Sequence, residues 1–162
     1  MASSLLDTAL GKLFIEVEND AIRQIQFLEE EEEIPALENE DHPLILETKH
    51  QIKAYFNLQL RDFNLKLNPK GSEFQSRVWD SLLTIPFGKT LSYSEIAKNL
   101  GDPNYVRAVG NANGKNPIAL VIPCHRIIGS TGNLVGYAGG LWRKKWLLDF
   151  EGEQISGQGK LF

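Results

Sequence analysis

Cysteine is nearly missing from this chain: of 162 residues, Cys124 is the only one. A single thiol closes no internal disulfide, and without a cysteine cluster no thiolate zinc site is implied. No apolar run approaches the roughly 20 residues of a membrane-spanning helix. Met1-Ala2-Ser3-Ser4-Leu5 lacks the basic start and the long apolar stretch of a signal peptide, so export is not expected. Internal repeats and low-complexity tracts are lacking too. Together these absences point to the reducing cytoplasm and to no membrane partner. A hydrophobic content of 42% is enough to build a core, and the length suits one compact domain or two small lobes.

Charge is unevenly spread. Residues 1–67 hold 6 Lys/Arg against 14 Asp/Glu, while residues 68–162 hold 11 against 7, so a net −8 faces a net +4. A polyanion would prefer the second half. An ordinary solvated surface would give a similar surplus.

The first half reads as mixed. Leu13–Val17 and Ile22–Phe27 have strand composition and are joined through Asn19-Asp20. The run Glu29–Glu33 suits a solvated loop. Ile45, Ile52 and Phe56 fall near helical spacing over Pro43–Asn57, and the alternation of Phe63, Leu65 and Leu67 predicts a closing strand. Asn68-Pro69-Lys70-Gly71 is the natural linker. The expected division is a lobe at 1–68, a second at 72–152, and a loosely ordered tail over 153–162.

The second half opens with helix signals. Ser72 and Gln75 have capping-box spacing ahead of Phe74, Val78, Trp79, Leu82 and Leu83, until Pro86-Phe87-Gly88 breaks the pattern. Ser92 and Glu95 repeat that spacing, Gly101 suits a helix end, and Asp102-Pro103 restarts a helix reaching Gly114. Helix, short turn, helix is the pattern of a helix-turn-helix, though many such pairs only pack. The second of these helices carries Ala108, Gly110, Ala112 and Gly114 among few long polar side chains. Small residues permit close backbone approach, which suits a minor groove better than bidentate major-groove readout; tight helix packing is the structural alternative.

Cys124 sits within Ile122-Pro123-Cys124-His125-Arg126-Ile127-Ile128. The apolar run Ile118–Ile122 leads in like a buried strand, and Pro123 ends it. A lone cysteine is often only a small buried hydrophobe. A histidine and an arginine beside it favour chemistry, because attack requires the thiolate. Adjacent side chains do not face each other on a helix, so a water between thiol and imidazole is the easier geometry. A cysteine hydrolase would instead need a separated histidine and an oxyanion hole.

The Cys124 string resembles the active-site motif of the O6-alkylguanine-DNA alkyltransferases. The likeness covers roughly residues 72–152, through Ile85-Pro86-Phe87-Gly88-Lys89, Ser92-Tyr93, Arg107-Ala108-Val109-Gly110, Asn116-Pro117, Gly136-Tyr137-Ala138-Gly139-Gly140, Lys145-Trp146-Leu147-Leu148 and Glu151-Gly152. It implies an α+β fold: a small N-terminal ribonuclease-H-like lobe, then a mostly helical lobe with a helix-turn-helix and a short strand pair near the motif. It also implies DNA repair by irreversible transfer of an alkyl group from O6-alkylguanine, and from O4-alkylthymine as a further substrate, to Cys124. The partner would be double-stranded DNA containing the lesion, engaged through the minor groove with base flipping. No metal and no cofactor would be needed, and a monomer is expected.

Site roles follow from the same resemblance. His125 would act as base through water, oriented by Glu151, while Asn116 holds the turn and Arg126 forms a structural ion pair. Tyr93 would flank the flipped base, and Tyr93 and Lys144 could deliver a proton. Tyr137 and the backbone of Ala138 would lie near the O6 atom, and the Ile127 carbonyl near the guanine amino group. Arg107 would fill the gap in the base stack, with Ala108 and Gly110 beside it on the DNA-facing helix. Two positions depart from the pattern: Ala138 stands where many relatives carry serine, and Asn113, in the base pocket, where some carry methionine. Alkyltransferase-like lesion sensors share the scaffold but replace the reactive cysteine, typically by tryptophan, and Cys124 argues against that reading.

Overall fold

The computed structural model describes the backbone of residues 1–160 and the side chains of residues 1–155. The chain divides into two compact units. The first holds Met1–Lys70 together with Pro117–Ala119, and the second holds Gly71–Asn116 and the chain from Leu120 onward.

The first unit is built on an antiparallel sheet of three strands, β1 (Ala2–Thr8), β2 (Gly11–Glu18) and β3 (Ala21–Leu28), in the order β1-β2-β3. Asn19 and Asp20 close the β2–β3 hairpin with φ of 52° and 58°. Both lie in the left-handed region, as a two-residue turn matched to strand twist requires. The sequence reading overlooked β1, because Ala2, Ser3 and Ser4 lack strand character. Ser3 and Ser4 are nevertheless buried, and their hydroxyls are satisfied by Ala36 O at 3.3 Å and Glu40 Oε1 at 2.8 Å. Helix α1 (Pro43–Phe56) packs on β1 and β2 through Ile45, Thr48, Ile52 and Tyr55. Its N-cap is His42, whose ring accepts from Leu44 N at 3.1 Å.

Two expected strands do not form. The alternation at Phe63, Leu65 and Leu67 produces only an isolated parallel bridge between Leu67 and Ile22. Ile118–Ile122 is buried except for the half-buried Ala119, but only Ile118 bridges, to Ile25, before the chain turns at Leu120 with φ +71°. A continuous apolar run reports burial and not backbone conformation. Both bridges lie on the outer edge of β3, where Lys66, Asn68, Pro117 and Ala119 supply the backbone partners that an open edge lacks.

The second unit is mainly helical: α2 (Glu73–Leu82), α3 (Tyr93–Asn99), α4 (Val106–Gly114) and α5 (Leu141–Lys160). Both capping boxes form, with Ser72 accepting from Gln75 N and Ser92 from Glu95 N, each at 3.1 Å. Gly101 takes φ +104° just past α3, and Asp102 caps a 3₁₀ turn at Pro103–Tyr105 that leads into α4. The restarted helix therefore begins as 3₁₀ and becomes α at Val106. Trp79 on α2 is buried against α4 and donates Nε1–H to Ala112 O at 2.9 Å. Strands β4 (Leu91–Ser92) and β5 (Ile127–Ile128) form a short parallel pair. Where a loosely ordered tail was expected from Gln154, the backbone stays helical to Lys160; Leu161 and Phe162 lie outside the described residues. Among the described residues no helix is long and apolar enough to cross a membrane.

Ser92 ends β4 and caps α3, so it fixes where Tyr93 begins. Ser92→Ala should cost about 1 kcal/mol, read as a lower denaturant midpoint with an unchanged slope.

Candidate active site

The position of Cys124 follows from a turn and a cap. After α4 ends, Asn116 donates Nδ2–H to Ile122 O at 2.9 Å, closing the loop that carries the Leu120 turn. Pro123 then opens a 3₁₀ turn, Cys124–Arg126, secured by Arg126 N to Pro123 O at 2.9 Å. β5 follows and pairs with β4, whose end is the start of α3. Cys124 and Tyr93 are thus mounted on the two ends of one strand pair.

Cys124 is 3% exposed. Burial pushes its thiol up to about 11, against the pull of the Asn116 side chain, the Lys144 charge and its own backbone. Burial thus favours the protonated thiol at rest.

His125 is fully buried, and its Nε2 meets Glu151 Oε2 at 2.8 Å. Glu151 comes from α5, 26 residues along the chain. The same carboxylate accepts Arg126 Nε at 2.8 Å, Arg126 Nη2 at 2.9 Å and Gly88 N at 3.2 Å. Burial alone would raise the Glu151 carboxyl; the His125 and Arg126 donors outweigh it and hold it well below the usual carboxylate range. Burial lowers His125, and the Glu151 contact only partly offsets this. A neutral imidazole beside a carboxylate must place its proton on Nε2. That leaves Nδ1 as a bare base, buried and without a hydrogen-bond partner among the described residues. Arg126, with Nη1 on Ile85 O at 2.7 Å, supplies the charge balance that lets His125 stay neutral.

A second cluster closes the site from the loop before α5. Tyr93 donates its hydroxyl proton to Val135 O at 2.7 Å. Lys144 Nζ donates to the same carbonyl at 3.0 Å and to Gly136 O at 3.2 Å, and lies 5.8 Å above the Tyr93 ring. Burial lowers Lys144 to about 8, with the Cys124 charge acting the other way. Burial, then Cys124, raise Tyr93. Tyr137 is raised well above its ordinary value, first by burial and then by Cys124, and its hydroxyl is buried without a partner among the described residues. Lys144, Leu147 and Glu151 form one buried stripe of α5 at spacings of three and four, so a single helix face serves both clusters.

Cys124, His125, Glu151, Asn116, Asn113, Tyr93, Lys144 and Tyr137 are thereby linked by hydrogen bonds or by electrostatic influence on the thiol. Ile127 is buried in β5 next to them. Arg107 and Ala108 lie apart, on the exposed side of α4, and Ala138 is on an exposed loop. A Cβ added at Gly110 would meet only the Tyr93 ring at 3.8 Å, and one at Gly114 would meet nothing within 4 Å. Internal packing does not require either glycine.

Several contributors escaped sequence reasoning. Gly88 has φ +79° and lends its N–H to Glu151, and a side chain there would strike Ile155. Its place after Pro86-Phe87 signalled a turn but not a donor. The Val135 and Gly136 carbonyls carry no sequence signal, since every residue has one. Among the described residues no group of His, Cys, Asp and Glu could hold a metal ion.

Residues 73–153 match the 6-O-methylguanine DNA methyltransferase DNA binding domain, and residues 1–69 match the ribonuclease-like domain of the same family. A methylated-DNA–protein-cysteine methyltransferase of Methanosarcina acetivorans is 41% identical over 154 residues, 94% of this chain and 99% of that protein. One from Mycobacterium leprae is 42% identical over 156 residues, covering 93% of this chain and 92% of its own. Among solved structures, Mycobacterium tuberculosis OGT in complex with DNA superposes with a TM-score of 0.86 at 39% identity, covering 94% of each chain.

Removing the Glu151 charge should leave Arg126 buried and uncompensated. Glu151→Gln is expected to cost about 3–5 kcal/mol in chemical denaturation. The pH dependence has a fixed sign. Glu151 and His125 both bind protons less readily folded than unfolded, so their contributions are complete above about pH 6.5. Stability should fall as the pH drops through the histidine and then the carboxylate range, and Glu151→Gln should flatten the lower part of a melting-temperature profile.

Proposed function

The chain belongs to the 6-O-methylguanine DNA methyltransferase family, and we propose that it repairs DNA by moving an alkyl group from O6-alkylguanine onto Cys124. The observation that carries this is a sole, buried thiol beside a histidine whose Nε2 is committed to an ion-paired carboxylate and whose Nδ1 is free to accept a proton. It is the arrangement of a base held ready by a third group, with water as the bridge to sulfur.

The steps balance without a co-reactant. His125 Nδ1 takes the thiol proton through water. Cys124 Sγ then attacks the alkyl carbon in line, the S–C bond forms, and the C–O6 bond breaks. The electron pair left on the base is met by a proton from Lys144, which shares the Val135 carbonyl with Tyr93. A lysine lowered to about 8 is matched to giving a proton near neutrality. The Tyr137 hydroxyl and the Ala138 backbone flank the leaving oxygen. A thioether offers no carbonyl for water to attack, so each molecule acts once.

Delivery of the lesion falls to α3 and α4, used as a helix-turn-helix on the minor groove. The exposed side of α4 carries the small Ala108 and Gly114 beside Val106, Arg107 and Asn111, which leaves stretches where the backbone can approach closely. Extruding a base costs a few kcal/mol, and the planar Arg107 guanidinium can stack in the gap. The positive balance of residues 68–162 favours the same partner. A reducing cytoplasm suits a protein whose single thiol must stay unoxidised.

Incubation with excess O6-methylguanine duplex should raise the intact mass by one CH2, the methyl replacing the thiol proton, and go no further. Cys124→Ala should stay unchanged in mass; equal labelling of both would refute the assignment. Lys144→Met should slow single-turnover transfer by about 10²-fold or more while lesion-duplex affinity is kept, as expected for loss of a proton donor.

A further inference from the structure

Asn113, at the end of α4, is 3% exposed, and its side chain is oriented by its neighbours. Nδ2 points to Cys124 O at 3.5 Å. Tyr93 feels this amide, which opposes the larger upward effects of burial and Cys124 on its phenol. With Nδ2 turned to the Cys124 carbonyl, Oδ1 is left over. It is buried with no partner among the described residues. A buried acceptor without a donor is costly and rare, and one placed beside a nucleophile is accounted for by a ligand that completes it.

We propose that Asn113 sets the base preference of the reaction, its Oδ1 accepting a hydrogen bond from the exocyclic 2-amino group of O6-alkylguanine. The inference rests on the alkyl transfer proposed above and deepens it. Alkylation at O6 leaves ring N1 without a proton. The 2-amino group is then the one N–H donor left on that edge of the base. It carries two hydrogens, one for the Ile127 carbonyl and one for Asn113. O4-alkylthymine has a bare ring nitrogen on that edge and a carbonyl where guanine has the amine. Placed in the same site, it would set an acceptor against Oδ1 and leave both unpaired. A site built to receive a donor rejects an analogue lacking one far better than an apolar wall does. Methionine, which some relatives carry here, would present no such acceptor.

The test compares single-turnover rates on one duplex carrying O6-methylguanine, O6-methylhypoxanthine (which lacks only the 2-amino group) or O4-methylthymine. Wild type should prefer O6-methylguanine over O6-methylhypoxanthine by about tenfold, the worth of a hydrogen bond to a buried acceptor. Asn113→Leu should lower that ratio severalfold, leaving only the preference due to the Ile127 carbonyl, and raise O4-methylthymine relative to O6-methylguanine. Asn113→Asp, which keeps an oxygen in place, should retain the preference. A wild-type ratio near one, or an undiminished ratio in Asn113→Leu, overturns the proposal. Should Asn113→Leu fail to fold, Asn113→Ala is read in the same way. Absence of methyl transfer to wild-type Cys124 from all three duplexes would defeat the underlying reaction, an outcome distinct from transfer without discrimination.

Discussion

The Glu151 carboxylate is the group on which the site is organised. It accepts from His125, twice from Arg126, and from the Gly88 backbone. Each donor answers a different need. Arg126 supplies the charge that makes a buried carboxylate tolerable, His125 gains a fixed tautomer, and Gly88 ties in the turn after α2. Desolvating an ion pair is expensive, and only such complete satisfaction keeps it from being a net loss. Here the return is chemical, because a carboxylate already balanced by arginine does not force the histidine to be charged. The imidazole remains a base.

Burial also governs the sulfur. A thiol held up to about 11 is a poor nucleophile at rest, and the same dry surroundings lower Lys144 to about 8. The two shifts run in opposite directions from one cause, since desolvation disfavours thiolate and ammonium alike. The site thus stores its proton on sulfur and keeps an acid of moderate strength close by.

Three buried polar atoms near Cys124 have no partner among the described residues: Asn113 Oδ1, His125 Nδ1 and Tyr137 Oη. Native interiors carry few such atoms, and they cluster where a ligand or water completes them. Their grouping around one thiol sets this region apart from ordinary core. The surrounding positions are apolar and closed, with Ile122, Ile127 and Leu147 buried.

Local chemistry was legible from sequence wherever neighbours in the chain decide structure. Ser72 with Gln75 and Ser92 with Glu95 made their capping boxes, Asn19-Asp20 made its hairpin turn, and Gly101 ended α3, because each needs only residues a few positions away. The alkyltransferase motif was legible too, since it runs unbroken around Cys124. Sequence misled where burial was read as conformation, as at Ile118–Ile122, and it was silent at β1, where serines are satisfied by residues more than 30 positions off. What the amino-acid order determined by itself was which groups are present and how each short segment turns. What only the tertiary structure decided was the pairing of Glu151 with His125 and Arg126, the joint hold of Tyr93 and Lys144 on one carbonyl, and the spare acceptor of Asn113. Those depend on distance and desolvation between residues far apart in the chain, and both quantities exist only once the chain has folded.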